Sequence, residues 1–165
     1  MKSKMILKSL LIMAFVCAGF TTANAQENNY NKNFKLGIGL DLGVPTKDAY
    51  NFGLGVDGRL QYNMSEKTSL TATTGYNHIF ADNDIEDVGF IPAKVGFKAF
   101  LGNQFYVNGE VGAAFGVTND AGTSFLWSPG IGFATKHIDL SLRYEDYSDY
   151  DFGQVAFRIA YGFDL

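Results

Sequence analysis

Cysteine and proline are scarce in this chain, and the scarcity of cysteine excludes disulfide-stabilised folds and cysteine-ligated metal sites. Among 165 residues there are one cysteine and three prolines. The cysteine, Cys17, lies in an N-terminal export signal, so the exported chain has no thiol and forms neither a disulfide nor a cysteine-based metal site. No stretch of the exported chain shows a convincing helical periodicity, which indicates an all-β fold.

Positive charge is also in short supply. The chain holds 13 lysines and arginines against 17 aspartates and glutamates, for a formal net charge of −4. Removal of the export signal, which carries three lysines and no acid, lowers this charge to −7. Because so acidic a chain repels polyanions, we predict no nucleic-acid partner.

The first twenty-five residues have the order of parts found in a secretory signal. Lys2, Lys4 and Lys8 form a basic start, 10–20 is apolar, and 23–25 is the small-residue cleavage site Ala-Asn-Ala. The apolar stretch is too short to span a bilayer as a helix. We therefore predict a cleaved signal peptide at 1–25, a short periplasmic leader at 26–33 and one β domain at 34–165.

Large apolar residues stand at every second position through most of 34–165. In Phe34–Val44 every even position is large and apolar, whereas the odd positions hold Lys, Gly, Gly, Asp and Gly. A period of two places alternate residues on opposite faces of a strand. Each run is about as long as the ~9–11 residues that a tilted strand needs to cross a bilayer.

The pattern predicts eight strands joined by two alternating kinds of connection. Tight turns follow the second, fourth and sixth strands, and longer polar loops follow the first, third, fifth and seventh. This alternation is typical of a barrel with a periplasmic and an external face. The sequence therefore predicts an eight-stranded antiparallel up-and-down transmembrane β-barrel. Its strands are predicted at 34–44, 52–63, 68–80, 90–101, 104–117, 125–135, 138–146 and 153–165.

The apolar face of these strands is predicted to face lipid. Its middle is aliphatic and its two ends are aromatic, as in the belts that mark the two membrane interfaces. The opposite face carries most of the strand glycines and charges. A soluble barrel with the apolar face turned inward is disfavoured, because large side chains at nearly every inward position would overfill an eight-stranded barrel.

The inward face gathers charges of both signs. Unpaired charges in so narrow a space would cost several kcal/mol each, so opposite signs are expected to interlock and fill the interior. Glu110 is expected to pair with Lys98 across the hairpin of the fourth and fifth strands. The other inward charges are Lys35, Asp41, Lys94, Asp139 and Glu145. The predicted polar network of the lumen, near mid-height, is Asp57, Arg59, Lys98, Glu110, Arg143 and Arg158.

Four segments carry a resemblance to a known family. They are Ile91–Lys98, Phe105–Gly116, Ser128–Phe133 and Ala160–Leu165. In these segments the chain is similar to the small outer-membrane β-barrel family of Gram-negative bacteria, the OmpA/OmpX-like group. The family ends most often in phenylalanine, whereas here Phe163 stands two residues before the final Leu165.

The resemblance implies an environment but leaves the activity open. It implies a cell outer membrane location and a monomeric barrel. The partners that it implies are outer-membrane lipids, including lipopolysaccharide, and the barrel-assembly machinery.

No catalytic, cofactor or metal site is predicted. Some small outer-membrane barrels modify lipid A with a histidine and a serine, but no serine obviously meets His78, which we interpret as an interfacial residue. The acidic run at 82–87 lacks the ligand spacing of an EF-hand calcium loop. We interpret it and the acidic, aromatic tip at 147–151 as solvated loop tips in preference to cation or receptor sites. We therefore predict a non-enzymatic barrel with a structural or surface-interaction role. A porin-like narrow channel is the alternative, and a lipid A-modifying enzyme is a more distant one.

Overall fold

Eight strands follow one another around a closed barrel. The computed structural model describes residues 33–81, 86–118 and 122–165. Each strand pairs antiparallel with its neighbours in the chain, and the last strand closes onto the first. The strands are β1 (Phe34–Pro45), β2 (Tyr50–Asn63), β3 (Thr68–Ala81), β4 (Val88–Leu101), β5 (Phe105–Gly116), β6 (Thr123–Ala134), β7 (Ile138–Tyr147) and β8 (Phe152–Asp164).

The predicted fold class is confirmed, and every predicted strand end lies within two residues of the observed one. The predicted signal peptide at 1–25 and all of the leader at 26–33 except Asn33 lie outside the described residues. A short 3₁₀ turn at Ser148–Tyr150 was not predicted, and Asp151 ends it in a left-handed conformation with φ of 52°. Within the described ranges, no helix is both long and apolar enough to cross a membrane.

Side chains alternate between the outside and the inside of the barrel, as the period of two predicts. Ile38 and Leu40 on β1 are 59% and 54% exposed, whereas Gly39 and Asp41 between and beside them are buried. The same alternation runs along the other strands. Most of the large apolar strand side chains therefore face outward, and most of the charged ones face the interior.

An arginine at an outward mid-strand position is expected to be costly. Leu40→Arg and Val111→Arg should each lower the free energy of unfolding in lipid by about 2–4 kcal/mol, because arginine is desolvated at the bilayer midplane. The matched control is Val117→Arg, which lies just beyond the external end of β5 and should cost about 0–1 kcal/mol. Equal stabilities of the Val111 and Val117 variants, measured by urea unfolding in vesicles, would contradict a lipid-facing surface.

Candidate functional site

The barrel interior has two layers. At the end nearest the long loops lies the apolar cap, a buried cluster of Ile79, Phe90, Ala114, Leu126, Tyr147 and Phe152. Beneath it lies the charged network, which holds five basic and five acidic side chains from the described residues. The charged network is Arg59, Lys94, Lys98, Arg143 and Arg158 with Asp41, Asp57, Glu110, Asp139 and Glu145.

Glu110 joins strands on opposite sides of the interior. The Arg59 Nη2 atom lies 3.2 Å from Glu110 Oε2, and Lys94 Nζ lies 3.7 Å from the same oxygen. The other oxygen, Oε1, accepts hydrogen bonds from the hydroxyls of Thr71 and Thr73 at 3.1 and 2.7 Å. Glu110 is 2% exposed, so its charge is balanced by protein groups.

Lys94 and Arg143 connect the next part of the network through Glu145. Lys94 Nζ donates to Glu145 Oε1 at 2.6 Å, and Arg143 Nε lies 3.1 Å from the same oxygen. Arg143 Nη2 donates to Asp41 Oδ1 at 2.7 Å and lies 3.7 Å from Asp57 Oδ2. One guanidinium thus holds three carboxylates drawn from β7, β1 and β2.

Arg158 extends the charged network toward the short turns. Its Nε donates to Asp57 Oδ2 at 2.6 Å, and its Nη2 donates to the other oxygen of Asp57, which makes the pair bidentate. Its Nη1 lies 3.8 Å from Asp139 Oδ1. Asp139 also accepts hydrogen bonds from Lys98 Nζ and from the Tyr106 hydroxyl. All ten charges therefore belong to one connected set.

The expected pairing of Glu110 with Lys98 is wrong. Glu110 lies directly opposite Gly96 in the β4–β5 register, so Lys94 and Lys98 are its two diagonal neighbours. Lys94 takes the contact, whereas Lys98 is paired with Asp139 and lies 4.3 Å from the centre of the Tyr106 ring. Register alone does not separate two diagonal partners. Each lysine also contacts an acid on β7, Lys94 with Glu145 and Lys98 with Asp139, and only Lys94 lies within reach of Glu110 as well.

Glycine on the inward face leaves space beside the long charged side chains. A Cβ added at Gly96 would clash with the Gly109 carbonyl oxygen on β5 and would lie 2.7 Å from Glu110 Cγ. A Cβ added at Gly39 would lie 2.8 Å from the Arg158 guanidinium carbon. The Arg158 guanidinium fills the space beside Gly39, and beneath the apolar cap the interior is packed by charged side chains.

The apolar cap is built from stacked aromatic rings. The Tyr147 ring lies 4.9 Å from Phe152, nearly parallel at 12°, and 5.0 Å from Phe90. The Tyr147 hydroxyl points into the polar layer, where it accepts hydrogen bonds from Asn77 Nδ2 at 3.3 Å and Gln154 Nε2 at 3.2 Å. Tyr147 therefore ties the apolar cap to the layer beneath it.

The fourth long loop is fastened across the cap. Asp149 Oδ2 accepts from the Phe125 amide at 2.8 Å, and Ser124 Oγ accepts from the Asp149 amide at 3.0 Å. The Tyr150 hydroxyl donates to the Gly122 carbonyl at 2.9 Å, and its ring meets Phe90 edge-on at 5.2 Å. These contacts place the 3₁₀ turn against β6 and over the apolar cap.

All six residues of the predicted polar network lie in the charged network and are buried. Four of the remaining inward charges, Asp41, Lys94, Asp139 and Glu145, join them. Lys35 does not, because its Nζ lies 3.2 Å from Asp164 near the short turns. The apolar cap was not predicted, although Ile79, Phe90 and Leu126 occupy inward positions by the same period of two.

His78 lies at the external end of β3 with polar partners on both ring nitrogens. Its Nδ1 lies 3.1 Å from the Tyr76 hydroxyl, and its Nε2 lies 3.1 Å from Asp87 Oδ2. The Ala81 amide donates to Asp87 Oδ1 at 2.9 Å, and this bond, with the one to His78, lowers the pKa of the Asp87 carboxyl. The Phe80 ring packs edge-on against His78 at 4.5 Å, which is consistent with an interfacial residue.

Neither a histidine–serine catalytic pair nor a metal-binding cluster is found in the part of the chain that the structure describes. No serine there hydrogen-bonds to His78. No group of three or more His, Cys, Asp or Glu residues there is arranged to hold a metal ion.

The chain is similar to known proteins in structure, whereas the sequence comparisons found no match. No protein-family model and no curated protein matches it. The structure is similar to the attachment invasion locus protein Ail of Yersinia pestis, with a TM-score of 0.57 and 15% identity over 81% of this chain and 100% of that one. Another Ail structure is a complex with the heparin analogue sucrose octasulfate.

Two further similar structures come from different sources. The N-terminal β-barrel domain of Pseudomonas aeruginosa OprF has a TM-score of 0.52 and 12% identity over 80% of this chain and 99% of that one. A de novo designed transmembrane β-barrel has a TM-score of 0.55 and 19% identity over 78% of this chain and 95% of that one. The chain therefore has the fold of a small transmembrane β-barrel, which is the fold that the family resemblance implied.

Proposed function

We propose that this chain is a non-enzymatic outer-membrane β-barrel with a structural or surface-interaction role. The observation that supports this role best is the filling of the interior. Ten charges, nine of them at most 6% exposed, form one set across the barrel, and the apolar cap overlies them. Such an interior stiffens the barrel and leaves the external loops as the part that meets other molecules.

The outward surface supports a location in the outer membrane. Aromatic pairs lie at both ends of the barrel, with Phe105 and Phe133 near the short turns and Trp127 and Tyr144 near the long loops. Such belts match the two interfaces of a bilayer. The partners in this proposal are outer-membrane lipids, including lipopolysaccharide at the external belt, and the barrel-assembly machinery. A closed barrel offers no free strand edge for pairing, which supports a monomer.

The charge of the external loops narrows the kind of surface partner. The described loop residues on that side include one lysine, Lys47, and several carboxylates. Their excess negative charge would repel a sulfated sugar such as the heparin analogue bound to Ail. A neutral or basic partner suits this surface better. The carboxylates are Asp48, Glu86, Asp87, Asp149 and Asp151.

A narrow channel is the second candidate, and one observation favours it. Several buried polar atoms of the interior have no hydrogen-bond partner among the described residues, including Asp41 Oδ2, Arg143 Nη1 and Gln154 Oε1. Buried groups of this kind are commonly satisfied by water. A hydrated interior would conduct only if the apolar cap also admitted water, because apolar constrictions close pores by dewetting.

Planar-bilayer recording separates the two candidates. The folded wild-type chain is expected to give no discrete conductance steps, since ten charged side chains and the apolar cap occupy its interior. The folded state of the sample is checked by its heat-dependent shift in gel mobility. Reproducible ion-selective steps from the folded wild type would defeat the structural role in favour of the channel.

A further inference from the structure

An apolar groove crosses the outward face of β5, β6 and β7, closer to the short turns than to the long loops. Its volume is about 390 Å³, within the range of about 300–1,000 Å³ that is usual for small-ligand sites. The Leu140 and Leu142 side chains on β7 line one side of it, and its lining is almost wholly apolar. It therefore offers a ligand dispersion contacts and hardly any hydrogen bonds.

The cross-strand register explains the shape of the groove. Val107 pairs with Ile131 in one outward row, and Phe105 pairs with Phe133 in the next outward row toward the short turns. Gly132 lies between these rows and faces inward, so backbone forms the floor. The Phe105 and Phe133 rings meet edge-on at 5.2 Å, which gives the lower wall a fixed shape.

We propose that this groove binds one acyl chain of an anionic glycerophospholipid from the periplasmic leaflet. The inference rests on the proposed outer-membrane location. The lining selects hydrocarbon, because a polar ligand would lose its hydrogen bonds to water and gain none. The position near the short turns selects the periplasmic leaflet, where the lipids are phospholipids and not lipopolysaccharide.

Lys136 supplies charge complementarity for the headgroup. It lies in the β6–β7 turn, three residues after Phe133, which is about 10 Å along a strand. Its ammonium group forms no ion pair with any residue in the described ranges, and it is exposed. The Lys35 ammonium donates to the Lys136 carbonyl at 3.2 Å but is itself paired with Asp164 at 3.2 Å, so Lys136 supplies the positive charge that is not offset. A phosphate at the end of the groove would meet this positive charge.

Native mass spectrometry after extraction from nanodiscs tests the proposal. The nanodiscs hold the full chain in equal amounts of phosphatidylglycerol and phosphatidylethanolamine. The wild type is expected to retain one phospholipid per barrel, predominantly phosphatidylglycerol. Val107→Trp fills the groove and should reduce retention at least tenfold. Val95→Trp makes the same change at an outward, 61% exposed position on β4 outside the groove and should retain the lipid.

A second matched pair of variants tests the contact with the headgroup. Lys136→Glu should keep the lipid count and abolish the preference for phosphatidylglycerol. Lys67→Glu, at an exposed lysine in the β2–β3 turn, should leave that preference unchanged. An unchanged preference in the Lys136 variant would overturn the assignment of the headgroup.

Three results would overturn the groove assignment. They are a folded wild type that retains no phospholipid, equal loss of lipid in the two tryptophan variants, or a second copy of the chain bound in place of lipid. If Val107→Trp does not fold, Leu142→Trp fills the same groove from β7. A wrong location can be told apart from a wrong groove assignment. If the proposed location is wrong, the chain will be absent from the outer-membrane fraction of cells, whereas lipid retention from nanodiscs still tests the groove.

Discussion

Glu110→Ala is expected to lower the free energy of unfolding by about 3–5 kcal/mol, the usual cost of removing one partner from a buried ion pair. The loss is large because the change leaves Arg59 and Lys94 without the carboxylate that they share at 3.2 and 3.7 Å. It also removes the acceptor for two threonine hydroxyls. Urea unfolding of the refolded barrel in lipid vesicles measures the effect.

Glu66→Ala is the matched control for this prediction. Glu66 is an exposed residue in the β2–β3 turn, and its loss should change stability by no more than about 0.5 kcal/mol. Unchanged stability of Glu110→Ala, together with altered ion selectivity in planar bilayers, would defeat the closed interior. In that case Glu110 would line a wet path in which its charge is solvated.

Phe90→Ala is expected to be comparably destabilising and to affect permeability as well. Phe90 is fully buried and its ring packs against Tyr147, Tyr150 and Phe152. Truncation of a buried phenylalanine costs about 3–5 kcal/mol through lost burial and the cavity left behind. The cavity lies in the apolar cap, so the variant that still folds should show brief conductance events that the wild type lacks.

A lipid-facing phenylalanine provides the control that distinguishes an effect of the apolar cap from an effect of the outer surface. Phe115 on β5 is 45% exposed on the outward face, so Phe115→Ala leaves the cap intact and should record as silently as the wild type. If Phe90→Ala matched the wild type in both stability and conductance, the apolar cap would not be a barrier.

The alternation of side chains predicted the wall of the barrel well, because the physics that fixes it is local. A residue such as Leu40 or Val111 faces lipid because its neighbours in the chain face the interior, and the same period gave the strand bounds. The buried state of the inward charges followed from that period too. No knowledge of distant contacts was needed for any of these.

The pairing of the charges depends on contacts that no local pattern contains. Arg143 meets Asp41 across 102 positions of sequence, and this contact exists only once the barrel has closed. The choice of Lys98 for Asp139 over Glu110 likewise depends on a strand three places along the sheet. The apolar cap was missed because Phe90 and Tyr147 lie where strands meet the long loops, and the period of two alone does not show that their rings pack together across the interior.

The balance of five positive and five negative side chains in the charged network restricts the substitutions that the interior can accept. A mutation at Asp57 removes the bidentate partner of Arg158, which lies 101 positions away in the sequence. The interior should therefore tolerate a substitution mainly when the residue paired with it changes too. The outward wall has no such constraint, because one apolar residue replaces another without a partner. Single substitutions should therefore be tolerated in the outward wall, whereas substitutions in the charged network should be tolerated mainly as complementary pairs.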